Sequence, residues 1–165
     1  WKDVIRDTVE DELDLDIDDI DPDDDAFSNL LTRFEFGIKT GDDDYKVRWP
    51  GLTPNTDGPM AFATQIPEGM ELYVMDSGKQ AQIEAAGTVG KEAADSEIDA
   101  AGALAFDCVC QAAILGDEFG DAVDNMAAEL GVELAGMQTY GEVAIQEDDL
   151  RAYHNTTSSI LLIPE

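Results

Sequence analysis

A chain of 165 residues is long enough to bury one core without staples, and its 44% apolar content excludes disorder throughout. No apolar run approaches the ~18 residues that a membrane-spanning helix requires. Its 38 Asp and Glu outnumber 9 Lys and Arg, and the net charge of −29 makes DNA, RNA and anionic membranes poor partners.

The opening Trp1-Lys2-Asp3, with no Met and no signal pattern, reads as the start of a piece excised from a longer polypeptide. Residues 1–9 carry Trp1, Val4, Ile5 and Val9 at helical spacing and predict the last turns of a helix. From Asp11 to Asp25 acids alternate with Leu13, Leu15 and Ile17, which predicts an edge strand or an extended linker, ended by Asp21-Pro22-Asp23. Residues 1–33 are therefore expected to form an acidic segment, the tail of a preceding domain half, and residues 34–165 the domain proper. A short helix or turn over Ala26–Arg33 leads to a predicted hairpin of Phe34–Ile38 and Tyr45–Trp49 across the turn Gly41-Asp42-Asp43-Asp44. Pro50 to Gly58, with Asn55 and Asp57, reads as a loop.

Strands are predicted over Pro59–Ile66 and Met70–Met75, joined by a turn with Pro67 in its second position and Gly69 two places on. Asp76 or Ser77 is the expected cap of a helix from Gly78 to Asp95, whose interior Gly87 and Gly90 mark close packing. The nearly all-apolar Ala101–Val109 predicts a central strand buried on both sides. Asp117–Leu130 predicts a helix with Phe119, Val123, Met126 and Leu130 on one face and Gly131 as its stop. Leu134–Ala144 and Tyr153–Ile163 complete the strands. The expected fold class is α+β, a largely antiparallel sheet with two main helices packed on one face.

A charge of −29 on a sphere of about 18 Å radius carries ~30 kcal/mol of self-repulsion at physiological salt and roughly 14 at 1 M. Part of that difference rivals a total stability of ~5–15 kcal/mol, so salt is expected to matter. Acids spread along the chain beside five lysines give the look of a halophilic cytoplasmic protein; a nucleic-acid mimic or cation buffer is the competing reading. No register from Asp14 to Asp25 supplies both the Gly and the Glu of an EF-hand loop. Cys108 and Cys110 are too close in sequence for an ordinary disulfide, and one His cannot complete a zinc set, so reduced thiols, no metal and no cofactor are expected. No Walker, Rossmann or H-E-x-x-H pattern occurs.

Three polar clusters interrupt apolar strands: Asp107-Cys108-Val109-Cys110-Gln111, Met137-Gln138-Thr139-Tyr140-Gly141-Glu142, and Tyr153-His154-Asn155-Thr156-Thr157. Neighbouring strands would bring them together at one end of a sheet. Cys108 with His154 and Asn155 suggests a cysteine hydrolase, but almost no nearby positive charge is available to lower the thiol pKa. Cys108 otherwise reads as a small buried hydrophobe and His154 as a structural hydrogen bonder. Glu142, set among apolar neighbours, needs a partner, either a ligand amine or one of Lys46, Arg48 and Arg151.

At Gly102-Ala103-Leu104-Ala105-Phe106-Asp107-Cys108, Leu134 to Val143 and His154-Asn155-Thr156-Thr157 the chain resembles the C-terminal part of the FIST sensory domain (FIST_C) of prokaryotic signalling proteins, over roughly residues 34–163. It departs at Cys110-Gln111, where family members often carry Gly-Arg, and at Met137, where they carry an aromatic. The resemblance implies a non-catalytic, cytoplasmic domain that senses a small molecule, an amino acid by the usual proposal. It also implies coupling to a histidine-kinase or chemoreceptor output domain. Cys108, Tyr140, Glu142, His154 and Asn155 would then line or brace the ligand pocket, with Glu142 meeting a ligand ammonium. A hydrolase using Cys108 and His154, or a structural interaction module, is the alternative.

Overall fold

The computed structural model describes residues 1–13, 16–21, 25–42, 45–51, 53, 58–76, 78–144 and 153–165. The expectations for Leu15, Asn55, Asp57, Ser77 and Arg151 lie outside these residues. Two compact units are present, Trp1–Ser77 and Gly78–Glu165.

In the first unit, α1 (Lys2–Leu13) and α2 (Asp25–Arg33) precede a sheet of β1 (Phe34–Lys39), β2 (Tyr45–Arg48) and β3 (Leu72–Asp76). β1 is central and antiparallel to both neighbours. Ile5 and Val9, one helical turn apart, are buried with Phe27, Leu30, Phe34 and Phe36, with Trp1 packed against them. Each such side chain contributes roughly 1.5–3 kcal/mol on burial. The acidic segment differs from expectation. Its first part continues α1 through Leu13, and the turn that follows buries Ile17 and Ile20 in the same core. Asp16 holds that turn, its carboxylate accepting from the Asp18 N–H (2.9 Å) and its carbonyl from the Asp19 N–H (3.1 Å). Burial of two isoleucines outweighs the alternating pattern that suggested a strand.

Basic residues are few and shared. Arg6 reaches Asp18 (2.9 Å), Glu10 (3.3 Å) and Asp3 (3.5 Å), and the Arg6 contact draws the Asp18 pKa below its ordinary value. Arg33 clamps Asp76 through two bonds of 3.0 Å, tying the end of α2 to the end of β3. Gly37 is needed where it stands. A Cβ there would lie 2.5 Å from Met75 Sδ, beside the edge-to-face pair of Tyr45 and Tyr73.

The expected strand over 59–66 does not form. Its backbone bonds are taken by the preceding loop: Ala61 N–H donates to Thr53 Oγ1 (3.0 Å) and Ala63 N–H to the Trp49 carbonyl (3.1 Å). The turn after it is displaced by one residue. Met70 N–H bonds Pro67 O (3.3 Å), which puts Pro67 first and Gly69, at φ +83°, in the third place that requires a left-handed residue.

In the second unit, α3 (Lys79–Ala94) leads into β4 (Ala100–Cys108). There follow α4 (Val109–Leu115), a single 3-10 turn at Gly116–Glu118, α5 (Phe119–Leu130) and β5 (Leu134–Thr139). The short β6 (Glu142–Val143) and β7 (Tyr153–His154) pair with each other, and β8 (Ser158–Pro164) closes the sheet. The order β5-β4-β8 places β4 in the centre, parallel to β5 and antiparallel to β8. The fold class is α+β as expected. The strands are shared between two three-stranded sheets and one pair, and the helical crossover between β4 and β5 makes that pair parallel.

β4 alternates, with Ala103, Ala105 and Asp107 buried toward the helices and Leu104 and Phe106 half-buried on the other face. α3 and α5 pack on that helix side, where Ala86, Ala105, Leu115, Ala122 and Met126 form the core. The N-cap of α3 is Gly78, with no side-chain cap, in place of the Asp76 or Ser77 expected. Gly131 ends α5 in the left-handed conformation, as expected.

Candidate functional site

The sheet of the second unit delivers all three polar clusters to the C-terminal end of β4. Two of the predicted long strands break there, and the breaks create the site. Gly141 at φ +142° separates β5 from β6, and Thr156 at φ +50° separates β7 from β8. The Tyr153 hydroxyl donates to the Tyr140 carbonyl (3.0 Å) across Gly141, where a Cβ would collide with the phenol. Gly141→Ala should therefore lower stability by about 1–3 kcal/mol, read as a fall in the denaturation midpoint.

The turn over residues 155–157 points its carbonyls at the start of α4. Thr157 O accepts from the Cys108 N–H (3.1 Å), and Thr156 O accepts from Gln111 Nε2 (3.3 Å). Side chains complete the junction. Glu142, 2% exposed, accepts from Thr139 Oγ1 (2.5 Å) at one oxygen and from Thr157 Oγ1 (3.0 Å) at the other. Both of these donors are hydroxyls. His154 stands opposite Glu142 in the β6–β7 pair, and Asn155 is buried beside it in sequence. Cys108 is buried at the head of α4. Its pKa is drawn below the ordinary thiol value, chiefly by the Cys110 thiol, against the opposing effects of burial and of Glu142. Neither cysteine is in a disulfide. Tyr140 is apart from this group, 89% exposed. The structure thus brings Cys108, Glu142, His154 and Asn155 to one junction and leaves Tyr140 at the surface.

Next to the junction lies a cavity of about 230 Å³, between the β4–β5 face and α3, α4 and α5. Its walls are Ala86, Ala105, Phe119, Ala122, Met126 and Leu134, with Val123 and Met137 toward the rim. Asp107, Gln111 and Gln138 supply polar groups to it. Asp107 is 8% exposed; its Oδ1 is hydrogen-bonded to Ser158 Oγ, and its Oδ2 is buried with no partner. Burial pushes its pKa up to about 6; the Ser158 bond opposes the shift and the nearby charge of Glu142 adds to it.

The Ser158 hydroxyl also lies 3.1 Å from Gln111 Oε1. Ser158 has one proton to donate, and Gln111 Nε2 is turned to Thr156. When Asp107 is ionised, Ser158 satisfies Asp107 and Gln111 Oε1 is left wanting a donor. When Asp107 is protonated, a chain from Asp107 through Ser158 to Gln111 satisfies all three. An ionised Asp107 therefore leaves this trio with fewer donors than acceptors.

Asp107, Gln111 and Ser158 were not among the predicted site residues. Asp107 carried the signal that singled out Glu142, an acid in an otherwise apolar run. Gln111, which stands where the family resemblance leads one to expect Arg, is placed on the cavity wall by α4, a helix that the sequence pattern did not suggest.

Among the described residues, no helix is long and apolar enough to cross a membrane and no group of three or more His, Cys, Asp or Glu could hold a metal ion. No curated protein and no solved structure matches the chain. Residues 3–145 match the profile of the FIST C domain, a domain associated with sensory signal transduction. That match takes in most of the chain, including α1, α2 and the polar clusters around β4 and β5, and the chain belongs to the FIST C domain family.

Proposed function

We propose that the protein is a non-catalytic small-molecule sensing domain, and that its ligand occupies the cavity between β4, β5 and α5. The observation that carries this reading is a buried carboxylate, Asp107, with one oxygen unpartnered, in the wall of a largely apolar cavity whose other polar side chains are Gln111 and Gln138. Concave apolar sites with a few convergent polar groups are the usual form of small-molecule sites. A ligand bearing an ammonium group, of the size of an amino acid or smaller, fits the chemistry of Asp107. Cys108, Glu142, His154 and Asn155 brace the end of β4 that positions Asp107, while Tyr140 lies on the adjoining surface.

The cavity wall combines strand and helix residues. Occupancy favours one spacing of α5 against the sheet, and a signalling output domain of histidine-kinase or chemoreceptor type would read that population shift. The cytoplasm, concentrated in salt, is the proposed setting. A thermal-shift screen of amino acids, small amines and neutral analogues in molar salt tests the reading. A true ligand at about 100 times its Kd adds ~2.7 kcal/mol of stability. A flat response across all three classes would remove the cavity as a sensing site.

A further inference from the structure

We propose that the cavity selects a primary alkylammonium or arylalkylammonium ion that carries no carboxylate, its N–H groups shared between Asp107 Oδ2 and Gln111 Oε1. This rests on the cavity being the sensing site proposed above, and it narrows the class of ligand.

Three observations carry the inference. The first is the count of donors and acceptors. Ser158 has one proton for two acceptors, and Asp107 Oδ2 has no partner at all, so the polar end of the cavity needs at least two donors. An ammonium group supplies three. An alcohol supplies one and leaves an acceptor unpaired.

The second is the charge of the wall. Among the described residues it carries one charged group, Asp107, and no Lys, Arg or His. An amino acid would bring a carboxylate into a cavity that already holds a buried carboxylate and offers it no cation. Burying an unpaired charge there is strongly unfavourable. The same ammonium without its carboxylate meets only attraction. The net charge of −29 acts in the same sense, concentrating cations near the protein and repelling anions.

The third is size and polarity. A volume of about 230 Å³ is the liquid share of roughly eight water molecules, so the ligand has a similar number of non-hydrogen atoms. Beyond the polar end the walls are Phe119, Ala122, Met126 and Leu134, which suit a branched aliphatic or phenyl tail. A polyamine would have to bury its second cation against these side chains.

The test is calorimetric titration of the whole chain, in high salt and slightly above neutral pH, with matched probes. These are 3-methylbutylamine against leucine, and 2-phenylethylamine against phenylalanine, with 3-methylbutanol as the neutral control. Each amine should bind at least about tenfold more tightly than its amino acid, since an unpaired buried charge separates them. Asp107→Asn should weaken amine binding roughly 10- to 100-fold, the range for a hydrogen-bonded charge. Val123→Trp, at the exposed rim of α5, should block the amines without disturbing the core.

An amino acid that binds as tightly as its amine, and is blocked by Val123→Trp, overturns the amine inference while the cavity stands as a sensing site. Preference for 3-methylbutanol does the same. Amine binding that survives Asp107→Asn places the ammonium elsewhere and also overturns it. Absence of binding by all five probes removes the sensing reading together with the inference.

Discussion

Asp107→Asn is expected to stabilise the protein at pH 7 by about 1–2 kcal/mol, because it removes a carboxyl that burial holds near 6 rather than at its ordinary 3.8 but leaves an amide N–H2 where Oδ2 has no partner. The sign follows from linkage. The folded state binds the Asp107 proton more readily than the unfolded state, so stability falls as pH rises between about 4 and 6 and stays reduced above that range. Asn removes the buried charge and keeps an oxygen for Ser158. The variant's advantage should therefore be complete at neutral pH and vanish on acidification through the same window. For a chain of this length it amounts to roughly 2–8 °C in Tm. Urea denaturation of both proteins at neutral pH and near pH 4 checks the prediction. Equal stability at neutral pH would mean that Asp107 is solvated, and the cavity would lose its polar anchor. A gain in stability with a loss of ligand affinity is the pattern of a group kept for binding at the expense of the fold.

Gly90→Ala is the second large effect and goes the other way. On an exposed helix this change gains ~1 kcal/mol in propensity. Here a Cβ at Gly90 would stand 2.3 Å from the Met126 carbonyl oxygen, so α3 and α5 would have to separate along their main contact. Overpacking of this kind costs about 1–3 kcal/mol beyond the propensity gain, and occasionally more. Met126 and Ala122 also line the cavity, so the displacement should reshape it. Gly87 is the control. Its Cβ would meet the Asn125 amide, a side chain that can swing away with loss of its 2.8 Å bond to the Ile83 carbonyl. Gly87→Ala should therefore be the milder change. If Gly90→Ala proved the more stable of the two, the close approach of the helices would be wrong.

Those two glycines show what could be read without coordinates. Each weakens a helix locally, and a residue kept against propensity points to packing. The same reasoning found Glu142, because an acid between Gly141 and Val143 has to be satisfied. It could have found Asp107, which follows Phe106 in a run of small apolar residues. The neighbouring Cys108, the more conspicuous residue type, is buried at the head of α4.

Other features depend on long-range contacts that local patterns do not contain. Ile17 is buried with residues of α2 and β1, so its alternation with acids gave the wrong period. The 59–66 segment has strand-like alternation, but its N–H groups reach Thr53 and Trp49 instead of a neighbouring strand. The bends at Gly141 and Thr156 are single backbone conformations, and at Thr156 the residue type gives no warning of a positive φ.

The central place of β4 has a kinetic consequence. Its ladder with β8 joins residues such as Asp107 and Ser158, 51 positions apart, and its ladder with β5 waits on a helical crossover. Pairings of such long range form slowly. Until they close, β4 offers two open hydrogen-bonding edges on an almost wholly apolar strand, the arrangement most apt to pair with another chain. The excess of acids holds separate chains apart during that interval. Concentrated salt shortens the reach of this repulsion to about 3 Å, and so stabilises the finished fold while thinning the shield around the unfinished one.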